Sequence, residues 1–225
     1  EIKLGTKDGE NIDALYFTAP DSTLGVVLYL HGNADNLQRW AQYHPDFTER
    51  GYDFFAIDYR GYGKSTGKAT EQGLYKDAER AYHWLRQRFP SQQIIIYGRS
   101  LGTGVASHLA QVAAAKMLVL ETPYDNMQNL LLTRMPALPL PFQLRYQFPT
   151  DERLPLIDEP VYILQGTEDS VVPYRDAVRL KPLLKTGDRF ITIEGGGHKN
   201  LSEFELFQQT LDELLGPRQS MISAE

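Results

Sequence analysis

Residues 93–102 read QIIIYGRSLG, and this stretch decides the fold. Its first half is a short β-branched run, which is typical of a buried strand. Its second half is a Gly-x-Ser-x-Gly pattern centred on Ser100, and apolar residues recur at helical spacing after it. A strand, a sharp turn and a helix in this order form a nucleophile elbow, which holds its serine at a strained, exposed tip. We therefore expect Ser100 to lie at a helix N-terminus, where backbone N–H groups favour negative charge.

A serine hydroxyl needs a neighbouring base in order to attack a substrate, and that base needs an acid that orients it. After an elbow of this kind the chain order is serine, acid, histidine, and only His108 and His198 follow the serine. His108 lies two turns along the predicted helix, so its side chain is expected to point away from the elbow. His198 lies on the glycine-rich loop 194–200, after a strand-like run. His198 is therefore the candidate base, and a surface-loop histidine is the alternative interpretation.

The orienting acid is expected between the serine and the histidine, directly after a strand. Asp169 follows the apolar run 161–165 and is the preferred candidate, because one side chain on a fixed loop must accept the N–H of His198. Asp125 follows the preceding strand-like run, 117–121, and remains the alternative.

Two N–H donors must also be aimed at the oxygen that becomes negative during attack on an acyl carbonyl. One is expected from Leu101, the residue after the nucleophile. The other is expected from the loop 31–36, which follows the apolar run 25–30, and Asn33 is the candidate donor. His31 precedes the serine in the chain, so its expected role is to hold this loop by hydrogen bonds.

Strand and helix patterns alternate along the chain after an initial hairpin. Strands are predicted near residues 2–4, 12–19, 25–30, 53–58, 93–97, 117–121, 161–165 and 189–194. Helices are predicted near residues 36–50, 70–89, 100–113, 174–185 and 200–215. This alternation predicts an α/β fold with a mostly parallel sheet of roughly eight strands, helices on both faces, and active groups at the carboxyl ends of the strands.

Two helix boundaries carry specific signals. Pro182 is expected to shorten or kink the helix at 174–185, because proline lacks a backbone N–H. Asn200, with Glu203 three residues later, is typical of a capping box, so the last helix is expected to begin there.

Residues 123–156 form the least regular segment, since apolar residues alternate there with six prolines. We expect short helical turns joined by extended chain, inserted as a small lid between two strands. The lid either shapes an acyl-chain pocket beside the serine or only packs onto the body of the fold. The candidate substrate-contacting residues on it are Met127, Leu131, Met135 and Phe142.

The composition of the chain limits which other classes of protein and of site it can represent. A chain of 225 residues is expected to form one domain, residues 1–225, with a frayed tail at 216–225. The net charge of −6 and the absence of a basic stripe argue against nucleic-acid binding. The lack of cysteine excludes disulfides, thiolate metal sites and a thiol nucleophile, and no His and acidic cluster has metal-site spacing. No apolar segment is long enough to span a bilayer.

The chain starts at Glu1 without a methionine, which is typical of a chain from which an N-terminal signal, anchor or tag has been removed. A cytoplasmic location and a periplasmic or membrane-anchored location therefore both stay open, and so does the oligomeric state.

The motifs described above, together with DYRGYGKS at 58–65, resemble those of α/β hydrolases over roughly residues 12–215. The resemblance is to the compact branch that includes membrane-associated lysophospholipases, monoacylglycerol lipases and protein depalmitoylases. It implies a triad of Ser100, Asp169 and His198, with the N–H groups of Asn33 and Leu101 as oxyanion donors and with no cofactor. One departure from the family pattern is a threonine at 103, where many relatives carry glycine. The stretch 58–65 lacks phosphate-loop spacing and is interpreted as a structural turn.

The expected activity is hydrolysis of carboxylic esters or thioesters of small acyl substrates through an acyl-enzyme. A serine aminopeptidase is the first alternative, and it would need an acidic group near the insertion to bind the substrate amine. The candidates for that group are Glu121, Asp125, Asp151 and Glu152. A catalytically silent fold used as a binding module is the second alternative. Acyl length, leaving group and ester or thioester preference depend on the shape of the lid, which the sequence does not give.

Overall fold

The computed structural model describes residues 1–137 and 144–218. Its strands are β1 (Ile2–Gly5), β2 (Asn11–Phe17), β3 (Gly25–Leu30), β4 (Tyr52–Ile57), β5 (Ile94–Arg99), β6 (Met117–Glu121), β7 (Val161–Gly166) and β8 (Arg189–Ile193). They form one eight-stranded sheet in the order β1-β2-β4-β3-β5-β6-β7-β8. Only the pairs β1·β2 and β2·β4 are antiparallel among these strands. The predicted mostly parallel α/β sheet is therefore confirmed.

The helices of the described residues lie on both faces of this sheet. They are α1 (Leu37–Trp40), α2 (Pro45–Thr48), α3 (Glu71–Arg86), α4 (Leu101–Val112), α5 (Met127–Arg134), α6 (Thr150–Arg153), α7 (Tyr174–Val178) and α8 (Glu205–Leu215). Residues alternate between the two faces along β3: Val26 and Leu28 belong to the core with α3 and α4, and Val27 and Tyr29 to the core with α1, α2 and α8. This period of two is what a strand buried on both faces requires.

Two predicted helices are shorter in the structure than expected. The helix expected at 36–50 is broken into α1, a 3₁₀ turn and α2, because Pro45 cannot donate a helical hydrogen bond and instead starts α2. The helix expected at 174–185 ends at Val178, and the 3₁₀ turn Lys181–Leu183 contains Pro182. This shortening agrees with the proline signal.

The capping box predicted at Asn200 is wrong. The side chain of Asn200 accepts the N–H of Gly197 at 2.8 Å, so it closes the loop that carries His198 instead of starting a helix. A 3₁₀ turn follows at Leu201–Glu203, and α8 begins only at Glu205. Residues 219–225 of the predicted tail and residues 138–143 of the insertion lie outside the described residues.

Gly102 allows α4 to approach the end of β3. A Cβ at this position would lie 1.9 Å from the carbonyl oxygen of Leu30 and 2.7 Å from that of His31. Both neighbours are backbone atoms, so a side chain here displaces either the helix or the strand. The close approach holds the N-terminus of α4, and with it Ser100, against the sheet.

We expect Gly102→Ala to lower the free energy of unfolding by about 3 kcal/mol, although alanine is the better helix former by about 1 kcal/mol. Urea unfolding of the two proteins measures this difference. Gly5→Ala is the matched control, since a Cβ at Gly5 has no heavy atom within 4 Å. A Gly102→Ala protein as stable as the native chain would contradict the close-packing argument.

Candidate active site

Ser100 lies between the end of β5 and the first residue of α4. Its φ of 52° and ψ of −119° place it in a backbone conformation that side-chain-bearing residues rarely adopt. Its N–H donates to the carbonyl oxygen of Glu121 on the neighbouring strand at 2.9 Å, which anchors the turn. Gly98 and Gly102 pack against backbone and small side chains on either side. The sequence therefore produces a sharp strand–helix turn with the serine at its tip.

The structure brings Ser100, His198 and Asp169 together from three loops. His198 Nε2 lies 3.0 Å from Ser100 Oγ, and His198 Nδ1 lies 2.8 Å from Asp169 Oδ2. A carboxylate only accepts hydrogen bonds, so Nδ1 carries the proton and Nε2 is left as the acceptor for the serine hydroxyl. These loops follow β5, β8 and β7, whose carboxyl ends lie at one edge of the sheet.

Asp169 is fixed before any substrate arrives. It is 5% exposed, and its Oδ1 accepts the N–H groups of Val171 and Val172 at 2.8 Å each. The other oxygen, Oδ2, is therefore the one directed at His198. Its orientation sets which nitrogen of the imidazole is protonated.

Two alternative candidates lie elsewhere. Asp125 is buried, but its Oδ2 accepts from Asn129 Nδ2 at 2.6 Å and pairs with Arg179, not with His198. His108 stacks on Tyr75 and its Nε2 lies 2.8 Å from Glu79, on the face of α4 as expected. Burial lowers the pKa of His108.

The two candidate oxyanion donors, Asn33 and Leu101, line one cavity together with Ser100. The side-chain oxygen of Asn33 accepts the hydroxyl of Tyr62 at 2.7 Å. Tyr62 lies in the turn 58–65, which is closed by a hydrogen bond from Ser65 Oγ to the Asp58 carbonyl. This turn thus supports the loop that carries Asn33.

His31 holds the loop 31–36 by a hydrogen bond within it. It is fully buried, and its Nδ1 lies 2.7 Å from the carbonyl oxygen of Gly32, to which it donates. Burial lowers the pKa of His31 to about 4, so the ring is neutral at pH 7. The neighbouring Asp58 accepts the N–H of Leu37 at 3.0 Å, and burial raises its pKa to about 6. His31 therefore has the loop-holding position that the sequence predicts.

An apolar cavity of about 440 Å³ opens beside Ser100. Of the four insertion residues predicted to contact substrate, Met127 lines it, whereas Leu131 and Met135 do not, and Phe142 lies outside the described residues. Met135 follows the last turn of α5 and is 52% exposed. The insertion contributes these residues to the cavity wall: Tyr124, Met127, Leu130, Tyr146 and Phe148. Within the described residues, the insertion therefore shapes the cavity through a set of side chains that shares only Met127 with the predicted set.

Glu71 is a cavity-lining residue that sequence reasoning missed. Its carboxylate accepts the backbone N–H groups of Gln147 and Phe148 at 2.7 and 3.0 Å, and the hydroxyl of Tyr75 at 2.5 Å. Phe148 has a φ of 44°, which is strained for an aromatic residue. Glu71 thus fixes the end of the insertion in the conformation that places Phe148 in the cavity wall.

Arg99 was also missed, although it lies inside the motif. Its Nε lies 3.2 Å from Glu121 Oε1, and its Nη2 donates to the carbonyl oxygen of His198 at 3.2 Å. The guanidinium lies 4.5 Å from the ring centre of Tyr43. Tyr97 donates its hydroxyl to the other oxygen of Glu121 at 2.7 Å. Arg99 therefore ties the elbow, the end of β6 and the histidine loop together.

We expect Arg99→Met to lower the free energy of unfolding by about 3–5 kcal/mol, because Glu121 would stay buried without its ionic partner. Thermal and urea unfolding measure the loss. The double variant Arg99→Met, Glu121→Gln removes both charges and should recover a large part of it. An Arg99→Met protein with native stability would show that the pair has no structural role.

These features define an α/β hydrolase. The chain belongs to this family: residues 25–152 match the model of the alpha/beta hydrolase fold. Alpha/beta hydrolase domain-containing protein 17B of Homo sapiens is 30% identical over 216 residues, which cover 93% of this chain and 71% of that protein. Lysophosphatidylserine lipase ABHD12 of Danio rerio is 33% identical over 184 residues, 70% of this chain and 47% of the relative, so the match spans about half of that protein.

Solved structures show the same fold. Esterase Pf2001 of Pyrococcus furiosus superposes with a TM-score of 0.73 at 21% identity, covering 95% of this chain and 90% of the esterase. Over residues 1–137 and 144–218, no helix has the length and apolar character needed to cross a bilayer.

Proposed function

We propose that this protein is a serine hydrolase that cleaves carboxylic esters or thioesters of acyl substrates. The observation that carries the proposal is the hydrogen-bonded series from Ser100 through His198 to Asp169, which opens onto an apolar cavity. A serine, a neutral imidazole and a buried carboxylate in this order generate a nucleophile at neutral pH without a cofactor.

The first half of the reaction forms an acyl-enzyme. His198 Nε2 takes the proton from Ser100 Oγ while Oγ bonds to the acyl carbonyl carbon. The backbone N–H groups of Asn33 and Leu101 stabilise the resulting oxyanion. The bond from carbon to the leaving oxygen or sulfur then breaks, and the proton on Nε2 passes to the leaving alcohol or thiol.

The second half releases the acid. Water gives a proton to His198 Nε2 as its oxygen bonds to the acyl carbon, and the bond from that carbon to Ser100 Oγ then breaks. The proton returns from Nε2 to Oγ, so the enzyme is regenerated and the products are one carboxylic acid and one alcohol or thiol. Asp169 stabilises the imidazolium in both halves and holds the ring in place.

The acidic groups that an aminopeptidase would need are engaged elsewhere. Glu121 pairs with Arg99, Asp125 with Arg179, and Asp151 accepts the side-chain amide of Asn126 at 2.7 Å. None of these acids, nor Glu152, is among the described residues that line the cavity. The carboxylate that does line it, Glu71, is occupied by backbone N–H groups. The apolar wall therefore favours an acyl chain over a charged amine.

Hydrolysis of p-nitrophenyl esters from acetyl to palmitoyl tests this function and the role of the cavity. We expect Leu130→Trp to shift the preferred acyl chain to shorter esters, because the larger ring fills part of the cavity. Leu131→Trp is the matched control, since Leu131 is the next residue of α5 and does not line the cavity. An unchanged chain-length preference in Leu130→Trp would exclude the cavity as the acyl site.

A further inference from the structure

A second, smaller cavity lies against the other side of Ser100. Its volume is about 110 Å³, and Ser100 and Asn33 line both cavities. His198 lines the small cavity and is not among the described residues that line the apolar one. Under the proposed function, on which this inference rests, His198 delivers a proton to the leaving group. The leaving group therefore belongs in the small cavity when the acyl chain occupies the apolar one.

We propose that the small cavity binds a leaving group that carries a negative charge, such as a phosphate or carboxylate a few atoms from the scissile bond. Three cationic residues line it, Arg39, Arg99 and Lys199, against one acidic residue, Asp35. The protein as a whole has a net charge of −6, so this concentration of positive charge runs against the general composition. A cleft lined by one sign of charge attracts the opposite sign.

The pairing of these charges leaves one cation for the substrate. Arg39 Nη1 lies 2.9 Å from Asp35 Oδ2, and Arg99 pairs with the buried Glu121. Lys199 is exposed and has no ion-pair partner within the described part of the chain. Lys199 directly follows His198, and both residues line the small cavity. The unmatched charge of this cavity is positive.

The loop 32–35, which also lines the small cavity, is held in place before binding. Ala34 and Asp35 both have left-handed backbone conformations, with φ values of 69° and 60°. Trp40 Nε1 donates to the carbonyl oxygen of Ala34 at 3.1 Å, which keeps the strained turn closed. Strain of this kind persists only where surrounding contacts enforce it, and it concentrates at ligand sites. The turn presents Arg39 to the cavity through its pairing with Asp35.

Three esters with the same acyl chain test the proposal: monooctanoylglycerol, octanoylglycerol phosphate and O-octanoyl lactate. The short chain keeps all three in solution, so differences in kcat/KM report the leaving group. We expect kcat/KM for the phosphate ester and for the carboxylate ester to exceed that for the neutral ester roughly tenfold. This preference should shrink as salt is added. A rate advantage confined to one of the two anions identifies the source of the charge.

Variants of Lys199 separate this proposal from the proposed function. Lys199→Gln should lower the ratio of anionic to neutral kcat/KM severalfold, Lys199→Arg should restore it, and Lys76→Gln, an exposed lysine outside both cavities, should leave it unchanged. Equal or faster hydrolysis of the neutral ester, or a ratio unaffected by Lys199→Gln, would overturn the anionic subsite and leave the hydrolase intact. A protein that hydrolyses none of the three esters and no p-nitrophenyl ester of the series would overturn both.

Discussion

Replacement of Ser100 by alanine is expected to lower kcat for p-nitrophenyl ester hydrolysis by about 10⁴-fold or more, with little change in KM. The proposed mechanism needs Ser100 Oγ to form a covalent bond, and no neighbouring group can replace it. Folding should be unaffected, because the hydroxyl is half-buried at the tip of the turn and its hydrogen-bond partner in the structure is His198. Steady-state kinetics across the ester series measures the loss.

Ser107→Ala is the matched control for this variant. Ser107 lies on the same helix, is fully buried, and donates to the carbonyl oxygen of Gly104 at 3.0 Å. It should keep native turnover, so a loss confined to Ser100→Ala is specific to the nucleophile. Equal ester hydrolysis by the Ser100→Ala and native proteins would contradict the mechanism, and a lack of hydrolysis by both would favour a binding module.

Replacement of Asp169 by asparagine is expected to lower kcat on the order of 10⁴-fold. The N–H groups of Val171 and Val172 require an acceptor at the Oδ1 position, so the amide must direct its NH₂ group towards His198. His198 Nδ1 then has to accept a hydrogen bond, which places the proton on Nε2. An imidazole protonated at Nε2 cannot take the proton of Ser100.

The pH dependence and the rival acid provide the checks on this second prediction. In Asp169→Asn the remaining activity should rise at high pH, where hydroxide can replace the base. Asp125→Asn should retain most of the native kcat, since Asp125 contacts Asn129 and Arg179 instead of His198. A large loss in Asp125→Asn with native activity in Asp169→Asn would reverse the assignment of the orienting acid.

The sequence predicted the elements and residues that local pattern determines. A β-branched run followed by Gly-x-Ser-x-Gly has few structural solutions, so the elbow at Ser100 was predictable. The order of strands in the chain places Asp169 and His198 at the same edge of a parallel sheet, because each follows a strand at its carboxyl end. The proximity of the three residues therefore follows from the alternation of strands and helices.

Features that depend on distant contacts were not predictable in the same way. The side chain of Asn200 could cap a helix or close its own loop. In the structure it closes the loop by accepting the N–H of Gly197. Arg99 and Glu71 have ordinary positions in the sequence, and their importance comes from partners up to 99 and 77 residues away. Leu130 and Leu131 are adjacent and chemically identical, so only the packing of α5 shows which one lines the cavity.

Peptide mass mapping after reaction with an alkyl fluorophosphonate tests the central claim most directly, because the reagent modifies only an activated serine. The proposal predicts one adduct per chain, located on Ser100, and none on the Ser100→Ala variant or on the acid-denatured protein. An unmodified Ser100 in the folded native protein, or an adduct on another residue, would contradict the assignment of Ser100 as the nucleophile of a serine hydrolase.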